Sequence, residues 1–277
     1  MLSLYPKIQR RFVLLSSVFV VSLLALLWFN PAANRPIWIL LAVLGLAALF
    51  ISSSNHAVKA HQKELQQLYE ALDAEGFLRG YRQHLQQKLP FKDTELMVRM
   101  HLSNAYIALG RFEEAKEVLK AYRDKPGKKE EATLLTQFAI TDHLCYCARQ
   151  EEVIAEATVF LHALMDQRAR LEELQEGKKA GQRLRFHTRM HEVCVQILSE
   201  GKGDVDWLKA ETSDPHTQML SKVTLSYWIA RAYWADNQRK EAERMFRWVI
   251  DHAPHLHPGR KSAEWLASLQ AERSSTR

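Results

Sequence analysis

Acidic residues are missing from the first 54 positions of this 277-residue chain, cysteines number only three, and glycine and proline are few, at 10 and 8. The three thiols, Cys145, Cys147 and Cys194, do not make a disulfide framework. That argues against a stapled secreted domain and for reduced thiols in a cytosolic compartment. No convincing period-2 run rich in β-branched residues occurs, so strands are not expected. Also missing are a glycine-rich phosphate loop, a nucleophile elbow and an HExxH motif, since His191-Glu192 is not followed by His at the required place. On these grounds no catalytic residue, no cofactor and no small-molecule substrate is expected.

What is present divides at about residue 54. The formal net charge is +6, and Lys7, Arg10, Arg11 and Arg35 place four of those charges in the acid-free segment. The remainder is close to neutral, which is not the concentrated basic face that nucleic-acid binding asks for. Phe12–Phe29 is an apolar run interrupted only by serines, about 27 Å long as a helix, and Ile37–Ile51 is a second, extendable through Ser52–Ser54. Asn30-Pro-Ala-Ala-Asn-Arg-Pro36 breaks the helix between them, with Trp28 and Trp38 flanking the turn as interfacial aromatics do. The expectation is a two-span transmembrane hairpin over 1–54. A cleaved signal peptide is the alternative for the first run, but that run exceeds the usual length of a signal core. Positive residues before the first span and Lys59 and Lys63 after the second place both ends in the cytosol.

Residues 55–277 read as helical almost throughout. Breakers at Pro90, Gly110, Pro126-Gly127, Gly177, Gly201 and Pro215 fall at intervals suited to helix hairpins, and Gly201 can end a helix. A helix at 56–73 is expected after the spans, and one near 260–272 at the C-terminus. Asp93 or Thr94 can cap the helix that follows Pro90.

Two segments carry more. Leu102–Ala115 and Ile229–Ala242 each place a small residue on a first helix, an aromatic three later and a turn residue four beyond that. An alanine follows five on, then a bulky apolar residue four later: Ser103, Tyr106, Gly110, Ala115, Leu119, and Ala230, Tyr233, Asn237, Ala242, Phe246. This pattern resembles the tetratricopeptide repeat family. His143–Tyr146 and Ala155 mark a degenerate unit between them, and Lys261–Gln270 a capping helix. The resemblance implies an all-α fold: a transmembrane hairpin followed by a tetratricopeptide-like α-solenoid of stacked helix pairs.

In that family the first helix of each unit lines a concave groove that binds other proteins. Carried over, the partner-binding residues are Met97, Met100, Asn104, Tyr227, Arg231 and Trp234, with Ile107, Ala108 and Thr224 beside them. The Lys/Asn clamp by which some members hold a C-terminal carboxylate is incomplete, because Met97 and Met100 stand where lysines are wanted. The function implied is a membrane-anchored scaffold or adaptor, bacterial in layout, working at the cytoplasmic membrane on an unnamed protein partner. The alternative is a metal- or thiol-dependent sensor or enzyme built on His187, His191 and Cys194, which share a helical face at spacings of four and three. Helical coincidence accounts for that trio as well, so no metal is expected. His252, His255 and His257 read as a solvated repeat end, and the mixed charges of Asp166–Lys179 as an exposed helix end.

Overall fold

The structure is a computed structural model describing residues 4–29, 35–86, 92–123, 129–174 and 180–275. Its twelve α-helices are α1 (Pro6–Phe29), α2 (Arg35–Tyr69), α3 (Ala74–Tyr81), α4 (Lys92–Ala108), α5 (Phe112–Arg123), α6 (Glu130–Gln150), α7 (Ile154–Leu174), α8 (Ala180–Glu200), α9 (Val205–Ser213), α10 (Met219–Ala235), α11 (Arg239–His252) and α12 (His257–Ser275), with a 3₁₀ turn at Arg82–Gln86. No strand is present among the described residues, so the chain is all-α. It divides into two compact units: residues 1–66 with 83–95, and residues 67–82 with 96–277.

In the first unit, α1 and α2 touch along their length. Tyr5 donates a hydrogen bond to Glu64 at 2.8 Å, Phe12 meets Phe50 edge to face at 5.9 Å, and a Cβ on Gly45 would strike the Phe19 ring. Numbers rise on one helix as they fall on the other, so the two are antiparallel. Both are long and apolar enough to cross a membrane, and neither is covered by protein. Leu14, Val21, Leu24, Ile39 and Leu40 are each more than half exposed. Water does not favour so long an unbroken apolar surface, and a bilayer does. The expected breaker segment between the helices lies largely outside the described residues. Past the apolar run α2 extends through Ser52–Ser54 and, in place of a separate helix at 56–73, continues as one helix to Tyr69, so the boundary expected at residue 54 falls inside it. No Gly or Pro interrupts the stretch, and the His56 ring bonds the Ser52 carbonyl at 2.9 Å, one turn back.

The second unit is organised by its turns. The described residues with positive φ are Leu72, Gly110, Glu152, Gly201 and Asn237. Each ends the first helix of a pair: α2/α3, α4/α5, α6/α7, α8/α9 and α10/α11. A left-handed residue after a helix lets the chain reverse while satisfying the terminal carbonyls. Three of these turns share one hydrogen bond, from the residue after the left-handed one to a carbonyl five back. The pairs are Arg111 to Tyr106, Val153 to Ala148 and Gln238 to Tyr233, at 2.8–2.9 Å.

Counting from those turns aligns the packing. Seven residues before lie Ser103, Cys145 and Ala230; five after lie Ala115, Ala157 and Ala242; all six are fully buried. Nine after lie Leu119, Leu161 and Phe246, buried in the crevice beside them. Small residues allow the paired helices to close and bulky ones fill what remains. The middle unit therefore turns at Glu152 and packs Ala157. Ala155, expected to mark it, is exposed.

Helices in this unit pack on their sequence neighbours and next-but-one neighbours, α6 on α7 and α8, and α10 on α8, α9, α11 and α12. α4 begins at Lys92, so Thr94 lies inside it rather than capping it, and the Asp93 side chain lies outside the described residues. α12 starts earlier than expected, at His257, with Pro258 in its first turn, where a missing N–H costs nothing. That start reaches back across the unit. The His257 ring bonds the Gln150 carbonyl at 3.0 Å and Arg260 donates to the Leu109 carbonyl at 2.7 Å. Gly110 has φ +71°, and a Cβ there would lie 2.8 Å from the His257 ring nitrogen, so the position needs glycine twice over. His257 is thus buried, not part of a solvated end.

Candidate functional site

The first helices of successive pairs converge on a cavity of about 150 Å³. Its wall includes Tyr69 at the end of α2, Asn104 of α4, Asp142 and Arg149 of α6, His187 of α8 and Ser221 of α10. Asn104 and Thr224, expected on the groove, are among its lining residues.

The residues expected to form that groove separate. Asn104 lines the cavity and donates to the Tyr69 hydroxyl at 2.9 Å. Met100 packs against the α5–α6 core of Leu119, Tyr122 and Ile140, and Met97 is half-buried on the same helix. Tyr227, Arg231 and Trp234 are engaged within the domain. Tyr227 is buried and donates to the Glu152 carboxylate, and Arg231 pairs with the same carboxylate and lies 4.6 Å over the Trp265 ring. Trp234 packs edge-on to Trp265 at 5.0 Å, under the Arg239 guanidinium at 4.0 Å. Arg231 and Tyr227 thereby hold the side chain of a left-handed glutamate, a conformation that costs a non-glycine residue on the order of 1 kcal/mol. Ile107, Ala108 and Thr224 are buried.

His187 and His191 do share a face, but their common partner is a carboxylate. His187 Nδ1 and His191 Nε2 lie 3.1 and 2.9 Å from Asp142 Oδ1. An ionised carboxylate only accepts, so each ring carries its proton on the nitrogen facing Asp142. Burial pushes the Asp142 carboxyl up, but the bonds and charges of His187 and His191 outweigh it and hold the group well below the usual carboxylate range. Burial drives His191 down to about 4 against the pull of Asp142. Cys194 does not join them. It is fully buried, next to Arg149, and burial raises its thiol above the ordinary value. Cys145 and Cys147 are pushed up to about 12 by burial, and their sulfurs diverge, to the Ala157 and Phe112 carbonyls. Among the described residues no three His, Cys, Asp or Glu side chains form a metal-binding group.

No family model, curated protein or solved structure matches this chain. The functional reading therefore rests on its own residues. Sequence reasoning picked out the α8 stripe but not its partner Asp142, 45 residues earlier. The available signal was the i, i+4, i+7 spacing of polar Asp142, Tyr146 and Arg149 in an otherwise apolar helix face.

Proposed function

We propose that this protein is a membrane-anchored adaptor: α1 and α2 form a transmembrane hairpin, and the helical domain is a tetratricopeptide-like α-solenoid that holds a protein partner at the membrane surface. The observation that carries the reading is the turn register. Three helix pairs share one left-handed turn, one hydrogen bond and one pattern of small and bulky buried residues. Such repetition builds surfaces for recognition more often than it builds catalytic centres. The uncovered apolar length of α1 and α2 supports anchoring, and tethering raises the effective concentration of the domain beside membrane partners. Lys7, Arg10 and Arg11 before the first span and Lys59 and Lys63 after the second support a cytosolic domain.

With Tyr227, Arg231 and Trp234 engaged internally, the partner surface in this reading lies toward α4, at Met97 and its neighbours. A photo-crosslinking residue at Met97, introduced in the source cell, tests it. One dominant adduct with a different protein, lost when α1 and α2 are deleted, is the expected result. Adducts with lipid alone, or none, defeat the adaptor reading. Alkaline extraction of membranes tests the anchor, which requires the chain to stay in the pellet.

A further inference from the structure

Arg149 is 2% exposed, and no carboxylate among the described residues lies within ion-pair distance of it. Its polar contacts are to sulfur, Nη2 at 3.7 Å from Met190 Sδ and the group close to the Cys194 thiol. Its Cζ lies over the Tyr146 and Trp228 rings, at 4.8 and 5.9 Å from their centroids. Nε and Nη1 have no hydrogen-bond partner.

A guanidinium does not shed its proton in a protein, so burial leaves a full cation here. Aromatic faces and thioether sulfur attract that cation, but they leave its in-plane N–H fork unanswered. The carboxylates around the end of α6 are committed elsewhere. Glu151 pairs with Lys116, Glu152 with Arg231, and Asp142 accepts from both His187 and His191. A buried charge of this kind calls for a counter-charge.

Beside Arg149 lies the cavity of about 150 Å³. One water needs only about 10–15 Å³ of such space, so a small ion fits here with room to spare. Asn104, Ser221 and Thr224 add polar side chains to the wall. Asp142 also faces the space, and its Oδ1 accepts from the two imidazole N–H groups.

We propose that this cavity is a binding site for a small oxyanion, a monocarboxylate or a phosphate, held by the guanidinium of Arg149. The site adds to the adaptor reading and does not depend on it, since it concerns a small ligand and not a protein. It would make the domain's core responsive to an anion in its compartment.

The test uses the full chain in detergent micelles at fixed ionic strength, titrated separately with acetate, inorganic phosphate and sulfate, and followed by calorimetry and thermal unfolding. Saturable binding near one ion per chain, with a rise in Tm, is expected for at least one of the three. Acetate alone identifies a carboxylate site, and phosphate or sulfate a tetrahedral one. Arg149→Met should lose the binding at least tenfold while staying folded. Should that variant not fold, Arg149→Lys, which keeps the charge but not the fork, should bind at least fivefold more weakly, and Thr224→Val, which keeps Arg149, severalfold more weakly. The proposal is overturned if the wild-type chain shows no saturable binding to any of the three anions. It is equally overturned if the folded Arg149 variants bind as the wild type does, which would mark non-specific association.

Discussion

Asp142 and Arg149 stand seven residues apart on α6, and both are buried. Asp142 receives two imidazole N–H groups from α8, so its charge is answered within the domain. Arg149 finds rings and sulfur and no carboxylate. Two helical turns, about 10 Å along the axis, keep the pair from answering each other. One helix face therefore carries a carboxylate hydrogen-bonded within the fold and, among the described residues, a guanidinium without a carboxylate partner. Burial alone does not tell a structural charge from a functional one; the tally of partners does.

The sharpest way to break this contrast is at Asp142. Asp142→Ala leaves the buried His191 N–H and the half-exposed His187 N–H without their acceptor and should cost about 1–3 kcal/mol in chemical unfolding of the full chain. A loss below about 1 kcal/mol would remove the distinction. Acid should act on the same cluster. His191 sits near 4 in the fold against an ordinary value of 6.5, because burial favours its neutral form despite Asp142 and with Arg149 and His187 opposing its charge. The folded state then binds fewer protons between those values. Stability is complete above pH 6.5 and falls by about 1 kcal/mol per pH unit toward 4, and the depressed Asp142 carboxyl adds its own loss only below the ordinary carboxylate range. His191→Gln should flatten the segment between pH 6.5 and 4 in a pH series of Tm.

Arg149→Met should move stability the other way. Replacing an unanswered buried cation with an apolar chain of similar length should gain about 1–3 kcal/mol without added anion, read from the same unfolding curves. A loss of that size would mean that rings and sulfur suffice for the guanidinium. The smallest effect is expected at His187, half-exposed and one of two donors to Asp142: His187→Gln should cost about 1 kcal/mol.

The helices and the first and last hairpins were legible because their signals are local. Gly110 and Asn237 tolerate left-handed geometry, and small and bulky residues recur at fixed distances from them. The middle hairpin was not, because Glu152 takes the same conformation without advertising it, held by Tyr227 and Arg231 from 75 and 79 residues away. Ala157 packs from a register that Ala155 imitates in sequence. The site was half legible. Spacing on α8 marked His187 and His191 as a pair, but their acceptor lies on another helix, and the polar i, i+4, i+7 stripe of Asp142, Tyr146 and Arg149 on α6 went unread. The return of α12 onto earlier turns, which buries His257, was equally invisible to period and propensity.

That return also orders events as the chain is made. Arg260 bonds a carbonyl 151 residues earlier. At a synthesis rate of roughly 5–20 residues per second, the α4/α5 turn leaves the ribosome on the order of ten seconds before the arginine that clasps it. During that interval the early pairs hold together by contacts already made, such as Asn104 to Tyr69 and Asp142 to His187, and the last helix then adds a contact that reaches back across most of the domain.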